Sequence, residues 1–273
     1  MADQPRQLTA PPRSAARLLQ YHDLSESIVS ALDARDTYTA SHSNRVAEMV
    51  LVLAAALGLG PDETTLIHIA AHLHDIGKIA VSDAVLRKAG PLTADEWQEM
   101  RRHPVTGYNI LRRVADFQDI AVLVLHHHER WDGQGYPDGL SGTDIPLGSR
   151  IIAVADSIDA MMSSRSYRAA MTGAACRCEI EKNSGIMYDP RVASAALAHW
   201  DPLISRYTAD TPRTPYFDRL MLERTRQAHD YLVAHQDSRI TLAELAAKFH
   251  LSQSSLKLCF KALYGVPVAG YLR

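Results

Sequence analysis

The run His74-Asp75-Ile76-Gly77-Lys78 sets an imidazole, a carboxylate and an ammonium within five residues. Adjacent side chains on a helix point about 100° apart, so His74 and Asp75 can share one cation or serve two neighbouring ones. Lys78 adds a positive charge for an anion. A lone His-Asp pair says little. Here His42, His103, His127, His128 and Asp156 join it, each at the polar edge of an apolar run. Burying so many imidazoles and carboxylates without a cation would leave costly unsatisfied polar groups. A donor set of this kind suits Fe or Mn, and accepts Zn or Ni, better than it suits Ca or Mg.

Helices must position these groups. Within 41–57, Val46, Met49, Val50 and Leu53 recur at i, i+3, i+4 and i+7, and Leu66, Ile69, Ala70 and Leu73 form a second stripe in 62–75. Thr93 with Glu96 is a capping box that starts a helix toward Arg102. Pro104 places His103 at a helix boundary where its ring can turn inward. Residues 120–129 turn abruptly from apolar to polar, as a buried helix delivering three histidines to a cleft would. Residues 132–146, dense in Gly, Pro and Asp, form a loop, and 151–162 resume as a helix. No segment reads as a strand, so the expected class is all-α.

The chain has 273 residues, 47% of them hydrophobic and 22% charged, enough for a large domain and a small one. The net charge of -2 is uneven: the segment 206–273 holds ten Lys and Arg against six Asp and Glu. A basic end on an acidic body points weakly toward nucleic acid. Cys176, Cys178 and Cys259 lack C-x-x-C spacing, which argues against a disulfide scaffold and a thiolate zinc site, and the expected compartment is the cytoplasm. Residues 1–14 read as a flexible tail without a signal-peptide core. No apolar run is long enough to span a bilayer, so no membrane partner is expected. Prolines 202, 212 and 215 mark a linker over 205–219, between a body of 15–204 and a tail domain of 220–273.

Over residues 25 to 200 the chain resembles the HD-GYP family of metal-dependent phosphodiesterases, a branch of the HD hydrolases. The resemblance rests on several motifs in order: 35–42 ending in His42, His74-Asp75-Ile76-Gly77-Lys78, Arg102-His103-Pro104, and 127–133 beginning His127-His128-Glu129. Gly135-Tyr136-Pro137, 155–161 containing Asp156 and Asp159, 165–168, and Tyr188-Asp189-Pro190 complete it. It implies an HD-type helical bundle and hydrolysis of cyclic di-GMP to the linear dinucleotide or on to GMP. It also implies two divalent ions. His42, His74, Asp75 and Asp156 would hold one, His103, His127 and His128 the other, with Asp75 between them. Members with a third metal carry a glutamate where this chain has Tyr38. Lys78 would stabilise the transition state, and Tyr136, Arg165 and Arg168 would contact substrate. Asp36, Glu129 and Asp159 would stand behind the ligands. His68, His72 and His126 read as packing residues.

From about residue 221 the chain resembles the first half of the AraC-type DNA-binding domain, on Ile240 to Ala246, Leu251 to Leu256, Phe260-Lys261 and Tyr264-Gly265. That implies a small three-helix helix-turn-helix segment with a recognition helix near 252–262. Gln253, Ser255 and Lys257 would face bases and Lys261 a phosphate. The sequence stops where that family's long linker helix would begin; either the second half is missing from this sequence, a homodimer supplies it, or the segment is a three-helix remnant packed within the chain. Two rival classes follow. One is a cyclic di-GMP hydrolase, with cyclic GMP-AMP as an alternative substrate. The other is a DNA-binding regulator that senses a cyclic dinucleotide.

Overall fold

The computed structural model describes residues 21, 24–25, 27–29, 32, 42–88, 90–163, 170–208, 219–235, 240–264 and 267–270. The 1–14 tail, Asp36, Tyr38, Arg165, Arg168 and 209–218 of the linker lie outside them. The fold is all-α: among the described residues the β-type pairing is an isolated bridge between Ser184 and Tyr188. The chain divides between Thr208 and Ala209 into two compact units.

The first unit is built on α1 (His42–Ala56) and α2 (Pro61–Leu73). Pro61 at the start of α2, with Asp62 and Glu63 in its first turn, fits the fixed φ and the positive end that a helix N-terminus offers. A short 3-10 helix (Ile76–Ala80) and the single turn Asp83–Leu86 follow. Then come α3 (Ala94–Met100), α4 (His103–Leu111), α5 (Gln118–Leu125) and α6 (Leu147–Met162). The unit closes with α7 (Gly173–Lys182), α8 (Pro190–Ala198) and α9 (Trp200–Thr208). Thr93 forms the expected capping box with Glu96. One continuous core joins Val46, Val50 and Leu53 of α1 to Ile69 and Leu73 of α2, Ile120 and Val124 of α5, and Ile151 and Ile158 of α6. Burial of these side chains at about 25 cal/mol per Å² is what holds the helix ends in register.

Two boundaries differ from the sequence reading, and both concern site residues. Helix α2 ends at Leu73, so His74 and Asp75 lie in the turn before the 3-10 helix, Asp75 with φ -96° and ψ 6°. The cause is tertiary. A Cβ on Gly77 would meet the His103 carbonyl oxygen at 1.9 Å, so backbone presses on backbone here and the chain tightens instead of continuing as α-helix. Likewise α5 stops at Leu125, and His126, His127 and His128 lie in the turn beyond it.

The second unit comprises α10 (Arg219–Ala234), α11 (Leu242–Lys248) and α12 (Gln253–Tyr264). Ala228, Leu232, Leu245, Leu256 and Phe260 form its own core. Thr241 caps α11 through a capping box with Glu244, and the turn to α12 passes through His250 at φ 52°. Among the described residues no helix is long and apolar enough to cross a membrane, and the three cysteines are unbridged.

Candidate metal centre

Element ends deliver the donors. His42 opens α1, His74 and Asp75 follow α2, His103 opens α4, and His127 and His128 follow α5. Only Asp156 comes from mid-helix, on α6. Turns and first residues can aim a side chain inward without breaking a helical ladder. Pro104, just inside α4, leaves His103 at the boundary.

Two groups result: His42, His74 and Asp75, and His103, His127 and His128. His42 and His74 approach through their Nε2 atoms at 3.3 Å, as do His103 and His127. Asp75 spans both groups, Oδ2 at 3.3 Å from His74 Nε2 and Oδ1 at 3.4 Å from His103 Nε2. Asp156 Oδ1 lies 3.3 Å from His42 Nε2.

The far ring nitrogens fix the tautomers. Nδ1 donates to the Ala71 carbonyl in His74, to Met100 in His103 and to Val124 in His127, at 2.6–2.7 Å. A ring that donates from Nδ1 and is neutral presents a lone pair at Nε2. Burial, aided by the neighbouring His128, lowers His103 to about 3. Burial and the surrounding imidazoles hold His127 well below its ordinary value. The lone pairs of His103 and His127 therefore face each other across 3.3 Å with no proton between them. That arrangement is repulsive unless a cation occupies the gap. Burial lowers His128 to about 4, against the pull of Asp156 and Asp75. Burial would raise Asp75 and Asp156, but Lys78 and His74 hold Asp75 well below its ordinary value, and His42 does the same for Asp156. Neutral imidazoles and ionised carboxylates are the forms that bind metal, so the residues fit a pair of divalent ions.

His42 stands apart. Burial works to lower it, yet hydrogen bonds to Asp156 and Asp159 raise it to about 9. It holds a proton where a cation would sit. Its Nδ1 meets Asp159 Oδ2 at 2.7 Å, which places Asp159 behind a candidate ligand.

Other residues singled out from the sequence have mixed placements. Lys78 Nζ donates to Asp75 Oδ2 at 2.6 Å and so lies at the centre. The Tyr136 ring packs 4.9 Å from the His128 ring, and Arg101 covers Tyr136 at 5.1 Å. Glu129 shows no hydrogen bond to a ligand histidine among the described residues. Its Oε1 accepts from the Asp138 and Gly139 amides at 2.7 and 3.0 Å, tying down the loop that presents Tyr136. The space a Cβ would need at Gly135 is filled by the Glu129 and Arg130 backbone, so that glycine serves loop closure and not approach to a ligand. His68 bonds the Ala47 carbonyl and His126 pairs with Asp138. In the second unit Gln253, Lys257 and Lys261 are exposed on α12. Ser255 is half-buried: its amide donates to Ser252 Oγ, which caps α12, and its own hydroxyl accepts from Ser252, so local capping engages it. Three partners escaped the sequence reading. Arg45 grips Asp159 through Nε and Nη2 at 2.5 and 3.0 Å, and its i, i+3 spacing from His42 was an available signal. Arg101 stands two residues before His103. Tyr207, whose hydroxyl also donates to Asp159, carried no local signal.

An all-α unit that gathers histidines from its helix ends around a shared carboxylate could hold metal ions between its helices. The chain belongs to the HD domain family, which it matches over residues 26–192. It is 44% identical over 172 residues to the cyclic di-GMP phosphodiesterase response regulator RpfG of Xanthomonas campestris, covering 62% of this chain and 46% of that one. To the 3'3'-cGAMP-specific phosphodiesterase 2 of Vibrio cholerae it is 38% identical, covering 67% and 35%. The chain thus spans less than half the length of either relative. Among solved structures, the cyclic GMP-AMP specific phosphodiesterase V-cGAP3 of Vibrio cholerae shares the fold, with a TM-score of 0.52 at 19% identity over 90% of this chain and 71% of that one.

Proposed function

We propose that this chain is a metal-dependent phosphodiesterase that hydrolyses a cyclic dinucleotide, cyclic di-GMP first and 3'3'-cyclic GMP-AMP as the alternative. The observation that carries the reading is the span of Asp75 between two histidine groups, with ligand lone pairs facing one another. The relatives named for these two activities support it.

His42, His74, Asp75 and Asp156 would hold one ion, and Asp75, His103, His127 and His128 the other, a donor set of imidazoles and carboxylates that takes Fe or Mn and also accepts Zn or Ni. Two such ions, when bound, supply Lewis acidity that acidifies water and offsets phosphodiester charge. The protein does the rest. Asp75 sets the spacing of the two halves, and Asp159 fixes the His42 ring. Lys78, 2.6 Å from Asp75, is placed to meet charge developing on a phosphate. Tyr136 walls the site beside His128 and would meet the sugar or base. Arg165 and Arg168 would contribute guanidinium forks for phosphate oxygens. The test is product analysis: Mn- or Fe-loaded protein incubated with each cyclic dinucleotide, nucleotides resolved by chromatography. Linear pGpG or GMP should appear, and His74→Ala should abolish it. Intact substrate with fully loaded protein sinks the reading.

A second reading, that the chain also binds DNA, is favoured by one observation: Gln253, Lys257 and Lys261 repeat every fourth residue on the exposed face of α12. So few phosphate contacts make binding weak and salt-sensitive. Fluorescence anisotropy with labelled duplex at low salt decides it, and no binding there ends the idea.

A further inference from the structure

The carboxylate of Asp159 is the most heavily used acceptor near the metal centre. Its side chain is only 2% exposed. Oδ2 accepts from His42 Nδ1 at 2.7 Å, from Arg45 Nη2 at 3.0 Å and from Ser163 Oγ at 3.3 Å. Oδ1 accepts from Arg45 Nε at 2.5 Å and from the Tyr207 hydroxyl. Arg45 and Ser163 lie within the family match, at 26–192. Tyr207 does not. It comes from α9 (Trp200–Thr208), which packs on α1, the helix that His42 opens.

We infer that Tyr207 is a positioning residue for the metal centre: it locks Asp159, and through Asp159 the His42 ring, so that an element outside the family's common segment sets how well the His42 half holds its ion. A carboxylate can turn about its own axis and trade oxygens between partners. Arg45 bonds one nitrogen to each oxygen and fixes the carboxylate plane, but its long stem still lets that clamp shift as a unit. The Tyr207 hydroxyl, arriving on Oδ1 from another helix, removes that freedom. A ligand histidine held in one tautomer and one orientation loses less entropy on metal binding. Outer partners of this kind are worth about 10–100-fold in metal affinity, and a residue one bond further out belongs at the lower end.

This inference rests on the reading of His42 as a metal ligand. The test titrates the metal-stripped full chain with Mn²⁺ against a chromophoric chelator. Wild type should bind two equivalents. Tyr207→Phe, which keeps the ring and deletes the hydroxyl, should bind one of them about tenfold more weakly, and excess Mn²⁺ should restore occupancy. Ile204→Val, a core change on the same helix that removes no polar group, should leave both affinities unchanged. Asp159→Asn should weaken the same equivalent, and adding Tyr207→Phe to it should cost nothing more, because the hydroxyl acts only through that carboxylate. Unchanged binding in Tyr207→Phe overturns the inference and leaves the metal centre standing. Equal weakening by Ile204→Val reassigns the effect to packing and also overturns it. A wild type that takes up no Mn²⁺ removes the metal reading itself.

Discussion

His103 and His127 confront each other through Nε2 atoms 3.3 Å apart, while the Nδ1 of each donates to the carbonyl three residues before it, Met100 and Val124. Two neutral imidazoles so oriented repel. The fold nonetheless brings them together, through the packing of the Ile76–Ala80 turn on α4 and of α4 on α5. A cation between the two rings would remove that repulsion.

His42 as a ligand would make metal uptake a proton exchange. With its pKa raised to about 9 in the metal-free protein, it carries a proton at pH 7 that a cation at the same Nε2 must displace. Calorimetric titration with Mn²⁺ in buffers of differing ionisation enthalpy should show release of about one proton at pH 7 to 8 from this half. Release should fade above about pH 9, where the ring is already neutral. Release that is absent at neutral pH contradicts the assignment.

Stability of the metal-free protein should peak near pH 6.5. His103 and His128, lowered to about 3 and about 4, stay neutral when folded but gain protons on unfolding below 6.5. Stability therefore falls as pH drops from 6.5 toward 4. His42 acts oppositely. Its contribution is complete below 6.5 and is lost as pH rises through 9. Thermal melts of chelator-treated protein from pH 4 to 10 should trace this dome, and a flat alkaline side would count against the His42 assignment.

Gly77→Ala should damage the fold and the site together. The new methyl group meets the His103 carbonyl oxygen at 1.9 Å and the Gly107 nitrogen at 2.6 Å, both backbone atoms that cannot step aside. Overpacking of this kind costs about 1–3 kcal/mol. Urea unfolding should register the loss. Elemental analysis should find less metal, since His103 and Asp75 are pushed apart. A variant of wild-type stability and full metal content would mean the turn relaxes freely.

Glu129→Ala should separate loop order from metal binding. The carboxylate holds two loop amides, worth about 1–2 kcal/mol between them, and no ligand histidine. Metal stoichiometry should stay at the wild-type value while KM for the dinucleotide rises several-fold, through a less fixed Tyr136. Metal loss equal to that of His128→Ala would restore Glu129 as a support for a ligand.

Side-chain type and order along the chain carried most of the site. The periodicity of Val46, Val50 and Leu53, and the polar step after Leu125, announce helices that end at histidines. The helix ends themselves were less legible. Extension of α2 through Asp75 fails because Gly77 is pinned by α4, a contact 26 residues away that no local pattern encodes. Glu129 looks like a partner for His128 in one dimension, yet its carboxylate closes onto Asp138 and Gly139 once the loop folds back. Ser255 has the spacing of a base-reading residue, and local capping claims it first. Tyr207 was invisible for the plainest reason: nothing near it in sequence hints that it reaches Asp159, 48 residues earlier.

A single side chain, Asp75, forms the common wall of two compartments. Loss of any one histidine would open one compartment, whereas loss of this wall would open both. Drift among descendants of this chain should therefore be lopsided: histidines on one side can erode one at a time, while codon 75 stays fixed for as long as either ion is used.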